Sequence, residues 1–136
     1  ILIPEDLTQK LSDLIGAELV DAGEYEAHRI ALGTPRGGLD FMYSDAFPHE
    51  TNMDRLAGVD FDKGCYVGQE NTARMHYRAK VNRRLVVAPI GEPGDRTRAA
   101  YPELGLMVEL RRVEALGDAL VPEWLAEALA EVPAEG

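Results

Sequence analysis

The densest chemistry in the chain lies in the run Asp62-Lys63-Gly64-Cys65-Tyr66-Val67-Gly68-Gln69-Glu70. A cation, a thiol, a phenol, an amide and a carboxylate fall together there, and Cys65 is the single cysteine of the protein. Gly64 and Gly68 bracket it; glycine admits backbone angles closed to other residues and lets a ligand approach the main chain. Two readings of the thiol stand side by side. A lone cysteine often serves as a small buried hydrophobe. If the residues after Tyr66 open a helix, however, the helix N-terminus and Lys63 give the thiol a route to reactivity by favouring its thiolate, the form that attacks and that binds metal.

The surroundings of this run bound what it can do. One thiol forbids an internal disulfide and supplies a single metal ligand, so a metal or cluster site must borrow the rest from a partner. The net charge of −10 over 136 residues argues against general nucleic-acid binding, which requires a basic surface. Charge is uneven all the same: Arg74, Arg78, Lys80, Arg83 and Arg84 fall close together. They read either as solvated side chains or as a seat for an anionic ligand such as a carboxylate or phosphate. No apolar run is long enough to span a bilayer, and 46% hydrophobic with 28% charged residues is ordinary for a globular domain.

The octapeptide Lys63-Gly64-Cys65-Tyr66-Val67-Gly68-Gln69-Glu70 resembles the K-G-C-Y-x-G-Q-E signature of the YgfZ/Iba57 family, folate-binding relatives of the glycine-cleavage T-protein (an aminomethyltransferase). Its flanks extend the likeness. Pro48-His49-Glu50-Thr51-Asn52 resembles the family's P-x-E-x-N phrase, and Thr72-Ala73-Arg74 and Arg83-Arg84-Leu85 fall where the family has T/V-A-R and K-R-L/A. The resemblance is dense over residues 25–87. It implies a tetrahydrofolate-binding accessory protein for the maturation or repair of iron–sulfur enzymes, with an indirect effect on tRNA modification. Tetrahydrofolate or a derivative is the implied cofactor, and iron–sulfur assembly or client proteins are the implied partners, with no direct nucleic acid and no membrane. An iron–sulfur cluster would be held only with a partner, Cys65 being a shared ligand. The implied location is the cytoplasm for a bacterial protein and the mitochondrion for a eukaryotic one.

By the same resemblance, Cys65 and Lys63 are the reactive pair, and Tyr25, Gly64, Tyr66, Gly68, Gln69, Glu70 and Arg74 are the folate-contacting set. Tyr25 stands where relatives carry a stacking tryptophan. The alternative is an aminomethyltransferase proper. Ala31 argues against it, because T-proteins place a pterin-binding glutamate there. A third class is a structural piece whose cysteine is simply buried.

The implied fold is α+β: residues 1–78 as the C-terminal part of a T-protein-like cloverleaf central lobe, and residues 79–136 as a small β-barrel-like lobe with a terminal helix. The chain would then be the C-terminal half of a longer protein. Periodicity predicts a helix over residues 4–17 with Leu7, Leu11, Leu14 and Ile15 on its buried face. It predicts a short strand at 18–20 and a second helix over 23–32, ended by Gly33 and Pro35. Residues 36–50 read as an irregular loop lining the ligand cleft, in which His49 and Glu50 are polar loop residues. Residues 51–60 read as a helical turn with Met53, Leu56 and Val59 inward. A helix over 68–77 follows, then a strand over 79–90, a turn at 91–95, a strand over 106–113, a helix over 122–131 and a frayed tail.

Overall fold

The computed structural model describes residues 2–77 and 80–131. The strand expected to begin at residue 79, Arg78 of the basic run and the tail after residue 131 fall wholly or partly outside these. The described residues form four α-helices and a three-stranded sheet: α1 (Thr8–Ile15), α2 (Ala22–Ala31), α3 (Gln69–Tyr77), β1 (Arg83–Pro89), β2 (Thr97–Tyr101), β3 (Leu106–Arg112) and α4 (Glu123–Ala130). The architecture is α+β. The sheet is antiparallel in the order β1-β3-β2. Leu85 faces Leu110 and Val87 faces Val108, while β2 is bulged between Thr97 and Ala99.

The core forms where α2 lies on this sheet. Ile30 packs with Leu85, Val87, Val108 and Leu110, and Phe41, Ala99, Tyr101 and Leu106 close the margins. β1 is buried on both faces from Arg84 to Ala88, so its alternation does not separate core from solvent. α2 is defined at both ends by local chemistry. The Asp21 carboxylate accepts the Glu24 N–H at 2.9 Å, satisfying one of the donors that a helix start leaves open. At the other end Gly33 takes φ +69°, with Gly33 N–H donating to Ile30 and Thr34 N–H to Arg29, the paired bonds of a Schellman stop.

Three buried arginines tie the loops to this core. Arg29 reaches Glu26, Asp40, the Thr34 carbonyl and the Tyr101 hydroxyl. Arg84 reaches the His49 carbonyl and chelates Asp54 through two bonds of 2.9 Å. Arg111 holds Glu109, Asp118 and the Leu116 carbonyl.

Several expectations are corrected. Most of the first helix's stripe faces outward: Leu14 is 82% and Ile15 59% exposed, Leu11 is half-buried, and Ser12 is the buried residue of α1. Residues 18–20 form no strand, and Leu19 and Val20 are exposed. The turn after residue 50 buries Thr51 and Asn52 and leaves Met53 out. The strand β2 lies in a stretch with no strand expectation. His49 and Glu50 do lie in a turn, as expected, but they are buried there, at 2% and 5% exposed.

The burial of His49 and Glu50 has its reason in a sheet edge. β1 is the outer strand of its sheet, and an open strand edge is a liability. Residues 47–52 cover it. Leu85 N–H donates to the Glu50 carbonyl at 2.7 Å, and the Asn52 amide donates to the Leu85 carbonyl at 2.8 Å. Further along, Leu120 N–H donates to the Val87 carbonyl. Glu50 also accepts from Phe47 N–H and from Arg83. The Pro48-x-Glu50-x-Asn52 phrase is thus a clamp on β1.

Candidate functional site

The loop over residues 59–68 leads from this clamp into α3 and wraps a pocket of about 230 Å³. Its lining includes Asp60, Phe61, Gly64, Cys65, Tyr66, Gln69 and Thr72. Local sequence explains the wrap. Gly64 and Gly68 take φ +93° and +86°, in the left-handed region that costs an L-residue about 1–2 kcal/mol. Gln69 begins α3 and reaches back, its side-chain oxygen accepting the Tyr66 N–H at 3.0 Å, as a capping side chain does at a helix start. The back wall is aromatic. Phe61 stacks on His76 with centroids 3.7 Å apart and tilts toward His49 at 6.0 Å.

The Cys65 thiol is free and exposed, so the buried-hydrophobe reading does not hold. Three residues separate Cys65 from the first residue of α3. The Lys63 ammonium stands 5.3 Å from the Tyr66 ring centre, within cation–π range.

Of the residues expected at a site, the structure brings Gly64, Cys65, Tyr66 and Gln69 to the pocket. Gly68 shapes the helix entry without lining it. Lys63 lies beside the pocket over Tyr66. Glu70 and Arg74 are exposed at opposite ends of α3, each at the end that its charge favours. Tyr25 is exposed on α2, outside the lining. The basic run is dispersed: Arg84 is buried on Asp54 and Arg83 is paired with Glu50, which leaves Arg74 and Lys80 exposed.

Three residues that sequence reasoning did not assign complete the site. Thr72 and Asp60 line the pocket, and Thr72 is 7% exposed. Thr72 lies three residues beyond Gln69 on α3, the spacing that puts two side chains on one helix face; that was the available signal. His49 stands behind Phe61, and neither ring nitrogen has a hydrogen-bond partner among the described residues. Burial, opposed by Asp54 and reinforced by Arg84, lowers its pKa and favours the neutral imidazole. Asp54 shows the opposite balance. Burial raises its pKa, but the bonds and charge of Arg84 outweigh this and hold it below the usual carboxylate value.

Among the described residues no group of three His, Cys, Asp or Glu side chains could hold a metal ion, and no helix is long and apolar enough to cross a membrane. An exposed thiol in the lining of a small pocket is the distinctive chemical feature of the described residues.

No protein-family model matches the chain. It is similar to the mitochondrial iron–sulfur cluster assembly factor IBA57 homologue of Mycosarcoma maydis, 51% identical over 70 residues, which are 52% of this chain and 17% of that protein. It is 45% identical over 85 residues to the corresponding protein of Neosartorya fischeri, covering 60% of this chain and 19% of the relative. Against human IBA57 it is 43% identical over 70 residues, covering 52% of this chain and 20% of the relative. The chain is a relative of the Iba57 proteins, as its resemblance to the YgfZ/Iba57 family implies. The matched stretch spans about a fifth or less of each relative's length.

Proposed function

We propose that the protein is an accessory factor in iron–sulfur cluster assembly, and that Cys65 is the ligand it lends to a cluster carried by a partner. The observation that carries this reading is a single exposed thiol in a chain that over 70 residues is 43–51% identical to proteins named for that process. One thiol cannot hold a cluster alone, so the cluster is cargo shared across an interface. The partners are assembly or client proteins. The relatives' names favour this role over aminomethyltransferase activity, and Ala31, at the position where T-proteins have glutamate, agrees. A eukaryotic parent would act in the mitochondrion, as its relatives' names imply, and a bacterial one in the cytoplasm.

Folate binding is the finer part of the proposal. The pocket is smaller than the roughly 300–1,000 Å³ typical of sites for drug-sized ligands, so it would take one portion of a tetrahydrofolate, the remainder lying against surface beyond these residues. Tyr66 and Phe61 offer apolar faces and Gln69 and Thr72 offer polar contacts; folate would supply one-carbon chemistry, and these side chains would orient it. This arrangement would be part of a T-protein-like cloverleaf, with the three-stranded sheet as its small barrel-like lobe. An effect on tRNA modification would then be indirect, through the enzymes that receive clusters.

The test is alkylation of Cys65 followed by intact mass, alone, with tetrahydrofolate, and with a cluster-loaded carrier protein under anaerobic conditions. Protection by the loaded carrier but not by its cluster-free form is the expected result. Equal labelling in both overturns the cluster reading, and equal labelling with and without tetrahydrofolate overturns the folate reading.

A further inference from the structure

We propose that His49 is a proton-operated latch on the loop over residues 59–68: when its imidazole takes up a proton, Phe61 leaves its seat and the pocket opens at the back. His49 is 2% exposed, and neither ring nitrogen has a hydrogen-bond partner among the described residues. Buried polar groups are ordinarily bonded, so an imidazole held in this way is a point where the fold forgoes stability. Phe61 is the side chain that this ring and the pocket share. It lines the pocket together with Cys65, tilts toward His49 with centroids 6.0 Å apart and stacks on His76 of α3 at 3.7 Å. It is half-buried.

A proton on His49 meets mostly cations. Burial is the largest influence against a charged ring there; Asp54 favours the charge, and Arg84, His76 and Arg55 oppose it. Asp54 is already committed, through two bonds of 2.9 Å to Arg84 and an ion pair of 3.6 Å to Arg55. The adjacent Glu50 carboxylate is turned to Phe47 N–H and to Arg83. A buried charge with no acceptor is costly, and access to water relieves it.

The two sides of His49 differ in how firmly they exclude water. On the clamp side, Glu50, Asn52 and Asp54 are bonded to Leu85 and Arg84. On the loop side, the hydrogen bonds of residues 59–68 stay, among the described residues, within the loop and the start of α3. Asp62 N–H donates to Asp60, Tyr66 N–H to the Gln69 side chain and Gln69 N–H to the Tyr66 carbonyl. Phe61 can therefore swing out without breaking a bond to the sheet. The closed loop refuses the proton, and the open loop accepts it near the ordinary value of about 6.5. Below that pH, and down to the closed-state value, each unit multiplies the ratio of open to closed by up to about ten. The latch uses neither the Cys65 sulfur nor a cluster, so it stands or falls apart from the role proposed above.

The experiment is an NMR titration from about pH 7.5 to about pH 5 on the chain labelled with carbon-13 in its three phenylalanines and three histidines. The Phe61 ring signals, displaced by the stack on His76, should move to the values of the urea-unfolded chain. Their midpoint should coincide with that of the His49 imidazole, while Phe41 at the core margin and Phe47 in the clamp keep their shifts. His49→Phe, which takes up no proton, should hold Phe61 in place throughout. His76→Phe, which keeps a ring for Phe61 to stack on, should leave the response intact. The proposal is overturned by Phe61 signals that stay fixed, by a midpoint different from that of His49, or by Phe41 or Phe47 moving with Phe61. A response that survives His49→Phe or vanishes in His76→Phe also overturns it. The comparison of midpoints needs only the unmodified protein, so it decides the matter even where a variant folds poorly.

Discussion

Two neighbouring stretches of similar polar density have opposite fates. In residues 47–54, Glu50, Asn52 and Asp54 are tied to β1 through Leu85, Arg83 and Arg84. In residues 59–68, Cys65 and Lys63 face outward, with the backbone held open by two left-handed glycines. A run of ionisable residues marks a place where geometry is demanded; it does not say whether the demand comes from the fold or from a ligand. Here the difference tracks what lies alongside. The first stretch covers the outer edge of β1, and the second flanks a pocket.

The comparison can be broken most forcefully at Arg84. Replacing it with methionine strips the His49 carbonyl of its donor and leaves Asp54 with only the 3.6 Å ion pair to Arg55, and should cost about 3 kcal/mol in urea unfolding, the low end for breaking a buried pair. A loss below about 1 kcal/mol would make the clamp dispensable. Asn52→Ala should cost about 2–3 kcal/mol, because it strips the Leu85 carbonyl of its donor and keeps an alanine at φ +68°. Asn52→Gly should recover part of that loss by relieving the backbone alone.

Histidine 49 gives the clamp a pH signature. Its folded pKa lies below the ordinary 6.5, chiefly through burial, so the unfolded chain binds a proton that the folded chain refuses. Stability is full above about pH 6.5 and falls as pH drops below it toward the folded value, by at most about 1.4 kcal/mol per unit. His49→Phe should flatten that slope between pH 6.5 and 5; an unchanged slope would assign it to other groups.

On the displayed loop the effects shrink. Gly64→Ala meets no atom within 4 Å but must hold φ +93°, and should cost about 1 kcal/mol. Cys65→Ser should change stability by less than about 0.5 kcal/mol while abolishing alkylation. A larger loss would mean that the thiol is part of the scaffold after all.

Much of this was legible beforehand, and the exceptions have physical causes. α2 carried its own stop in Gly33 and α4 its apolar face in Leu125 and Ala128. β1 announced itself through the alternation that runs into Leu85 and Val87, and β3 through the apolar residues Leu106, Met107, Val108 and Leu110. β2, Thr-Arg-Ala-Ala-Tyr, has one β-branched residue and a bulge, so it has little periodicity to read. α1 shows the converse. Its leucine stripe predicted a helix correctly, but periodicity identifies a face without identifying what covers it. At the site, the signature placed Cys65, Tyr66 and Gln69 in one loop, whereas Thr72 and Asp60 join them only through the curl of that loop. The arginines after the signature read as one patch because sequence does not distinguish a charge that meets solvent from one that meets Asp54.

The lone tryptophan has a practical consequence. Trp124 donates its indole N–H to the Leu32 carbonyl at 2.9 Å and covers Gly33, so it joins α4 to the end of α2. Its emission spectrum is therefore an optical gauge of whether the two helices remain docked. Because Trp124 is absent from the Cys65 pocket lining, labelling the thiol should leave that spectrum unchanged. A red shift on alkylation would reveal a mechanical linkage between the two ends of the molecule.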